Sequence, residues 1–385
     1  TRCGVVSWAS EMCIRDRHSR CWALSLGLIL LSPIVAPSAV GEWGTDTWLT
    51  NVIGPERLEH GDEFGCHGFE GVDTIEENWV ISGCRDYLAG LTDSSKWGSD
   101  PVSFGIEAEV LDQDTVDSLV ESGFVIVGDS LEEVPEGLVS MVRNGGSLEK
   151  GVADIELLES AEADSLVSVY WRARVGDFRV RDDAEVISWL EDQQVWFTTW
   201  GEWHFHGISG RSTSVISDGS VLTSTSLPSV RWNVPGTIRL QFEQDVLSVS
   251  DSSGAKIPQI PLDLRDLSIG WRPTETGMFL TQAPGTNITI ELDGPADTIE
   301  TTPMSTFNGL HHGVTIVGHH TSNLFRWTQD FPESILSFTW LVERPEKEGI
   351  SWIIPAFAVS MIIAVPASIY FLVKKDVSMM STDQD

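Results

Sequence analysis

Apolar and polar residues alternate along 165–175, where Val167, Val169, Trp171, Ala173 and Val175 interleave with Ser168, Tyr170, Arg172 and Arg174. A period of two is the mark of a strand with one buried face. Further strand-like runs fall at 195–206, 237–242, 246–250, 267–271 and 287–292, broken by clusters of Gly, Pro, Ser and Asp. Short strands at close spacing with such breaks predict a β-sandwich over 165–297. Two more strands are expected at 314–317 and 335–342, within a segment bounded by 298 and 349. The stretch 42–160 reads differently. Residues 114–121 fit a short helix stopped by Gly123 and followed by a buried strand at 124–127, and 135–143 predicts a second helix ended by Asn144, Gly145 and Gly146. Gly61, Gly65, Gly68 and Gly71 indicate turns.

In the order and spacing of its strands, 165–295 resembles the concanavalin-like jelly roll of lectin and laminin-G domains. The expected fold class is therefore mixed and mainly β: a jelly-roll-like β-sandwich ectodomain, a loop-rich α/β N-terminal part, and one C-terminal transmembrane helix.

That last element is read from 350–373, twenty-four residues without a charged side chain, followed by Lys374 and Lys375. At about 1.5 Å per residue such a helix reaches roughly 36 Å, against about 30 Å of hydrocarbon. At the other end Arg20 precedes an apolar run over 22–35 and small residues over 36–41, the layout of a signal peptide at 18–41. An uncleaved anchor is the alternative. Val6 to Arg17 resembles translated sequencing-adapter read-through, which sets 1–17 aside from fold reasoning. These ends predict a single-pass type I cell-membrane protein with its bulk extracytoplasmic, 298–349 next to the membrane and 374–385 as a cytoplasmic tail.

Charge narrows the partners. The formal net charge is −33, from 24 basic and 57 acidic side chains, and a surface this negative repels phosphate backbones, which argues against nucleic acid. With the leader removed, Cys66 and Cys84 remain as an even pair that predicts one disulfide outside the cytoplasm. It closes about nineteen residues and restricts the unfolded chain by about 3 kcal/mol. Asn287 begins the glycosylation sequon Asn287-Ile288-Thr289.

Candidate chemistry centres on 195–206. Read as a strand, it places Trp196, Trp200, Glu202, His204 and His206 on one face, two indoles with a carboxylate and two imidazoles, suited to stacking on a sugar and bonding its hydroxyls. Glycosidases of this architecture need a second carboxylate near the first, and here histidines stand in its place. Non-catalytic binding or adhesion, with a carbohydrate or other cell-surface ligand, is the leading expectation. The alternative is an extracellular copper or zinc protein using His204, His206, His311, His312, His319 and His320. A hydrolase is the third option. No catalytic residue is identified, since the chain has no Gly-x-Ser-x-Gly elbow, no phosphate-cradling glycine loop and no dinucleotide fingerprint.

Overall fold

The computed structural model describes residues 54–69, 71–106, 108–129, 131, 133–148, 155–173, 184–296, 298–320, 334–344 and 353–382. The leader expected at 18–41 and the stretch 1–17 lie outside them. A short helix, α1 (Gly54–His60), leads into β1 (Glu63–Phe69). There follow α2 (Trp79–Leu91), β2 (Ser103–Ile106), α3 (Gln113–Glu121), β3 (Ile126–Asp129), β4 (Val139–Met141), α4 (Ile155–Glu159) and β5 (Leu166–Ala173). Local chemistry sets α3: Asp112 caps it by accepting a hydrogen bond from Thr115 N at 2.8 Å, and Gly123, at φ 90°, takes the left-handed turn after it. The helix expected over 135–143 is instead a turn leading into β4.

The chain then passes through α5 (Ala184–Asp192), the two-residue strand β6 (Trp196–Phe197) and α6 (Trp200–Arg211). Eight strands come next: β7 (Thr213–Asp218), β8 (Val221–Ser226), β9 (Gly236–Gln241), β10 (Val246–Asp251), β11 (Gly270–Thr274), β12 (Gly277–Gln282), β13 (Asn287–Leu292) and β14 (Glu300–Pro303). They form two four-stranded antiparallel sheets, ordered β10-β13-β8-β7 and β11-β12-β9-β14. Leu222, Ile238, Leu240, Phe242, Met278 and Ile290 are among the residues buried between them. Finally β15 (Gly313–His320) and β16 (Phe338–Arg344) return to the first part of the chain, and α7 (Ile353–Thr382) ends the described residues.

The organising element is a parallel sheet ordered β4-β3-β2-β1-β16-β15-β5, with β6 beside the start of β15. Its outer edges meet. Beyond β4, Ser147 bridges Tyr170 of β5, Leu148 N donates to Tyr170 O at 2.8 Å, and Tyr170 N donates to Gly146 O at 2.9 Å. The sheet is therefore a nearly closed barrel built from both ends of the chain, with the antiparallel sheets inserted between β5 and β15. Parallel strands need long crossovers, and α2 and α3 supply them between β1, β2 and β3.

One face of every barrel strand points inward. Glu63, Ser103, Ser168, Thr315 and Thr339 make a polar layer at the amino ends, and the first turn of α6 is inserted against it. Gly201 N donates to Glu63 at 2.7 Å, Trp200 N to Thr339 Oγ1 at 3.0 Å, and the Trp200 indole to Ser168 Oγ at 2.9 Å. Burial pushes the Glu63 carboxyl above its ordinary range, against the lowering effect of hydrogen bonds from the Ser103 hydroxyl, Gly201 N and the Thr199 hydroxyl. On the outer face, Cys66 of β1 is bonded to Cys84 of α2, with a Cα separation of 6.0 Å, tying strand to helix.

Three further expectations are corrected. The jelly-roll-like fold class does not hold, because 166–173 pairs in parallel with 313–320 inside the barrel and is no part of a sandwich. Strand alternation alone reports a half-buried strand, not the direction of its neighbours. The run 195–206 is mostly helix, so its two-residue period was misleading. The transmembrane helix is the third. The segment is helical from Ile353, yet the helix continues through Lys374 and Lys375 to Thr382 and carries Pro366 inside it. No helix among the described residues is long and apolar enough to cross a membrane. The transmembrane helix expected at 350–373, and the single-pass type I assignment built on it, are therefore not supported.

Candidate metal centre

Parallel barrels carry their chemistry at the carboxyl ends of the strands, where loops from many strands converge. Here that end collects His67 from β1, His319 from β15 and Glu343 from β16. Each offers one ligand atom, and these atoms all lie within 4.8 Å of one another. It is the one group of three or more such side chains among the described residues that could hold a metal ion.

The backbone is shaped to bring them together. Between Cys66 and Gly68 the register of β1 on β16 slips, leaving His67 as the extra residue of a bulge in a parallel pair. Bulges re-aim a side chain and are frequent beside active sites. Gly68, at φ 99°, adopts the backbone that completes it. Gly105 of β2 then gives the His67 ring its room: a Cβ built there would lie 2.7 Å from His67 Cδ2.

The three side chains already touch. His319 Nε2 lies 3.1 Å from Glu343 Oε2, and the His67 and His319 rings stack with centroids 3.6 Å apart. On its other side His319 Nδ1 lies 3.4 Å from the Tyr170 hydroxyl. His319 is 2% exposed while His67 and Glu343 are half-buried, so the cluster is desolvated from below and open from above. The opening is a cavity of about 230 Å³ walled by Phe69, Val72, Asp73, Thr74, Ile75 and Ile106.

The sequence-predicted residues distribute otherwise. Trp196, Trp200, Glu202 and His206 are buried, and none of them forms an open face. Helical spacing scatters them: Trp200 enters the barrel, while Glu202 turns to the Trp97 indole and the Thr198 hydroxyl. His206 Nδ1 donates to Pro235 O at 2.8 Å, and half-buried His204 shares no ligand group with it. His311 and His312 precede β15 with their Nδ1 atoms 2.9 Å apart, but no third ligand joins them among the described residues. His320 ends β15, and its side chain lies outside the described residues. Asn287 is exposed at the start of β13. Of the five metal candidates whose side chains are described, His319 alone belongs to the centre.

Two buried groups on α6 make a pH test. Burial lowers the His206 pKa to about 4 and raises the Glu202 pKa to about 7. For His206 the folded-state value lies below that of the free imidazole, so its contribution to stability is complete above pH 6.5 and is lost as pH falls toward 4, by roughly 3 kcal/mol in all. Glu202 runs the other way, costing stability as pH rises from 4.5 to 7. Imidazole NMR is expected to give a His206 midpoint near 4; a midpoint near 6.5 would contradict its burial.

No protein-family model matches the chain, and no curated protein or solved structure matches it significantly. The site must be read from its own residues.

Proposed function

We propose that this chain is a metal-dependent enzyme whose centre is His67, His319 and Glu343, with metal-activated water as its reagent and hydrolysis as its reaction class. The observation that supports this most is the convergence of two imidazoles and a carboxylate from three strands at the carboxyl end of the barrel, beneath an open cavity. Three protein ligands leave a coordination position free, the arrangement of catalytic rather than closed structural sites. Nitrogen and oxygen donors suit Zn²⁺, Mn²⁺ or Fe²⁺. Such an ion lowers the pKa of its bound water into the neutral range and polarises a carbonyl or phosphoryl oxygen. The chain's own residues set the ligands' direction, through the bulge at His67 and the Glu343 contact to His319. The Cys66–Cys84 bond is in keeping with an oxidising, extracytoplasmic compartment.

Equilibrium dialysis with Zn²⁺ tests the reading. One equivalent is expected to bind the full chain, and His319→Ala should weaken binding at least 100-fold while His311→Ala leaves it unchanged. Binding lost in the His311 variant and retained in the His319 variant would move the metal away from this centre. A second reading rests on the direct His319–Glu343 contact: a metal-free pair in which the carboxylate orients the imidazole as a general base. A chain that retains no ion after dialysis but loses activity in Glu343→Gln would favour it.

A further inference from the structure

We propose that Tyr170 is a positioning residue for this centre, acting through His319 and held in place by Arg143; the inference rests on the metal reading above. A neutral imidazole carries one N–H. If Nε2 of His319, which faces Glu343, gives its lone pair to an ion, the hydrogen must sit on Nδ1 and needs an acceptor there. The Tyr170 hydroxyl, 3.4 Å from Nδ1, is placed to be that acceptor. A hydroxyl both donates and accepts, so the same group serves the ion-free tautomer, in which Nε2–H donates to Glu343 and Nδ1 accepts from the phenol.

Three further observations show that the phenol is placed by the fold. Tyr170 sits where the barrel closes: its amide donates to Gly146 O and its carbonyl accepts from Leu148 N. The register of β5 on β15 sets it beside Val317, two residues before His319 on the same inward face. Above it, the Arg143 guanidinium carbon stands 3.8 Å from the ring centroid, a cation on an aromatic face. The residue that seals the barrel thus also fixes the direction of one ligand.

The test is Zn²⁺ affinity of wild-type, Tyr170→Phe and Arg143→Gln chains, alongside thermal melting of each without metal. Tyr170→Phe should weaken Zn²⁺ binding about 10- to 100-fold, with the metal-free melting temperature unchanged, because the ring and its packing remain. Arg143→Gln should weaken it less, in the same direction. Co²⁺ absorption should keep its shape in the Phe variant but saturate at higher metal concentration, since the donor set is the same. If wild type binds Zn²⁺ and Tyr170→Phe binds it equally well, this inference fails and the centre stands. If the variant only lowers the metal-free melting temperature, Tyr170 is structural and the inference fails as well. If wild type binds no metal, this inference and the metal reading it rests on both fall.

Discussion

Asp62→Ala is expected to cost about 3–5 kcal/mol of folding stability, the range for breaking a buried ion pair by removing one partner. Asp62 is fully buried just before β1 and satisfies four donors. Arg57 Nε and Nη2 reach it at 2.7 and 2.9 Å, the Trp340 indole at 2.8 Å and Phe338 N at 3.1 Å. Arg57 in turn bonds the carbonyls of Ser334 and Leu336 and lies over the Phe338 ring. Its guanidinium therefore ties α1 to the strand that carries Glu343. Alanine would leave a buried guanidinium and a buried indole N–H without their acceptor. Urea unfolding of Asp62→Ala and Asp62→Asn measures this. The amide, which keeps the shape and one acceptor, should lose about half as much as alanine; a loss below about 1 kcal/mol in both would show that the pair contributes little net stability.

The second large effect is expected at Trp200. Its side chain is fully buried inside the barrel, and a Cβ built on Gly128 would lie 2.4 Å from its Cη2, so the indole occupies space that a glycine on β3 leaves for it. Replacing it by alanine empties that space and strips Ser168 Oγ of its donor. About 3–5 kcal/mol is the usual cost of deleting a buried tryptophan. Trp200→Phe should recover most of the packing but not the hydrogen bond, leaving about 1–2 kcal/mol lost. Equal stability of all three chains would mean that α6 does not plug the barrel.

Local elements were legible in the sequence where short-range chemistry fixes them. The helix after Asp112 with its Gly123 stop, and the strands now seen at β5, β9, β10, β13, β15 and β16, follow from capping, left-handed glycine and alternation. The barrel was not, because it depends on parallel pairing between segments as far apart as Gly65 and Leu341, which no local period records. The run 195–206 shows the limit well. Its alternating Trp, Thr and His also fit a helix capped by Thr199, whose hydroxyl accepts from Glu202 N, and burial in the barrel decided between them. In the centre, His319 stood out as half of a pair of histidines, but His67 and Glu343 gave no signal. They become neighbours only when β1 and β16 pair, and Gly68, read as a turn, completes the bulge that aims His67.

The most direct measurement is an anomalous difference map at the zinc absorption edge from crystals of the full chain grown with Zn²⁺. The account predicts one strong peak within bonding distance of His67, His319 and Glu343, absent in His319→Ala. A map with no density there, or with its peak beside His311 and His312 instead, would contradict it.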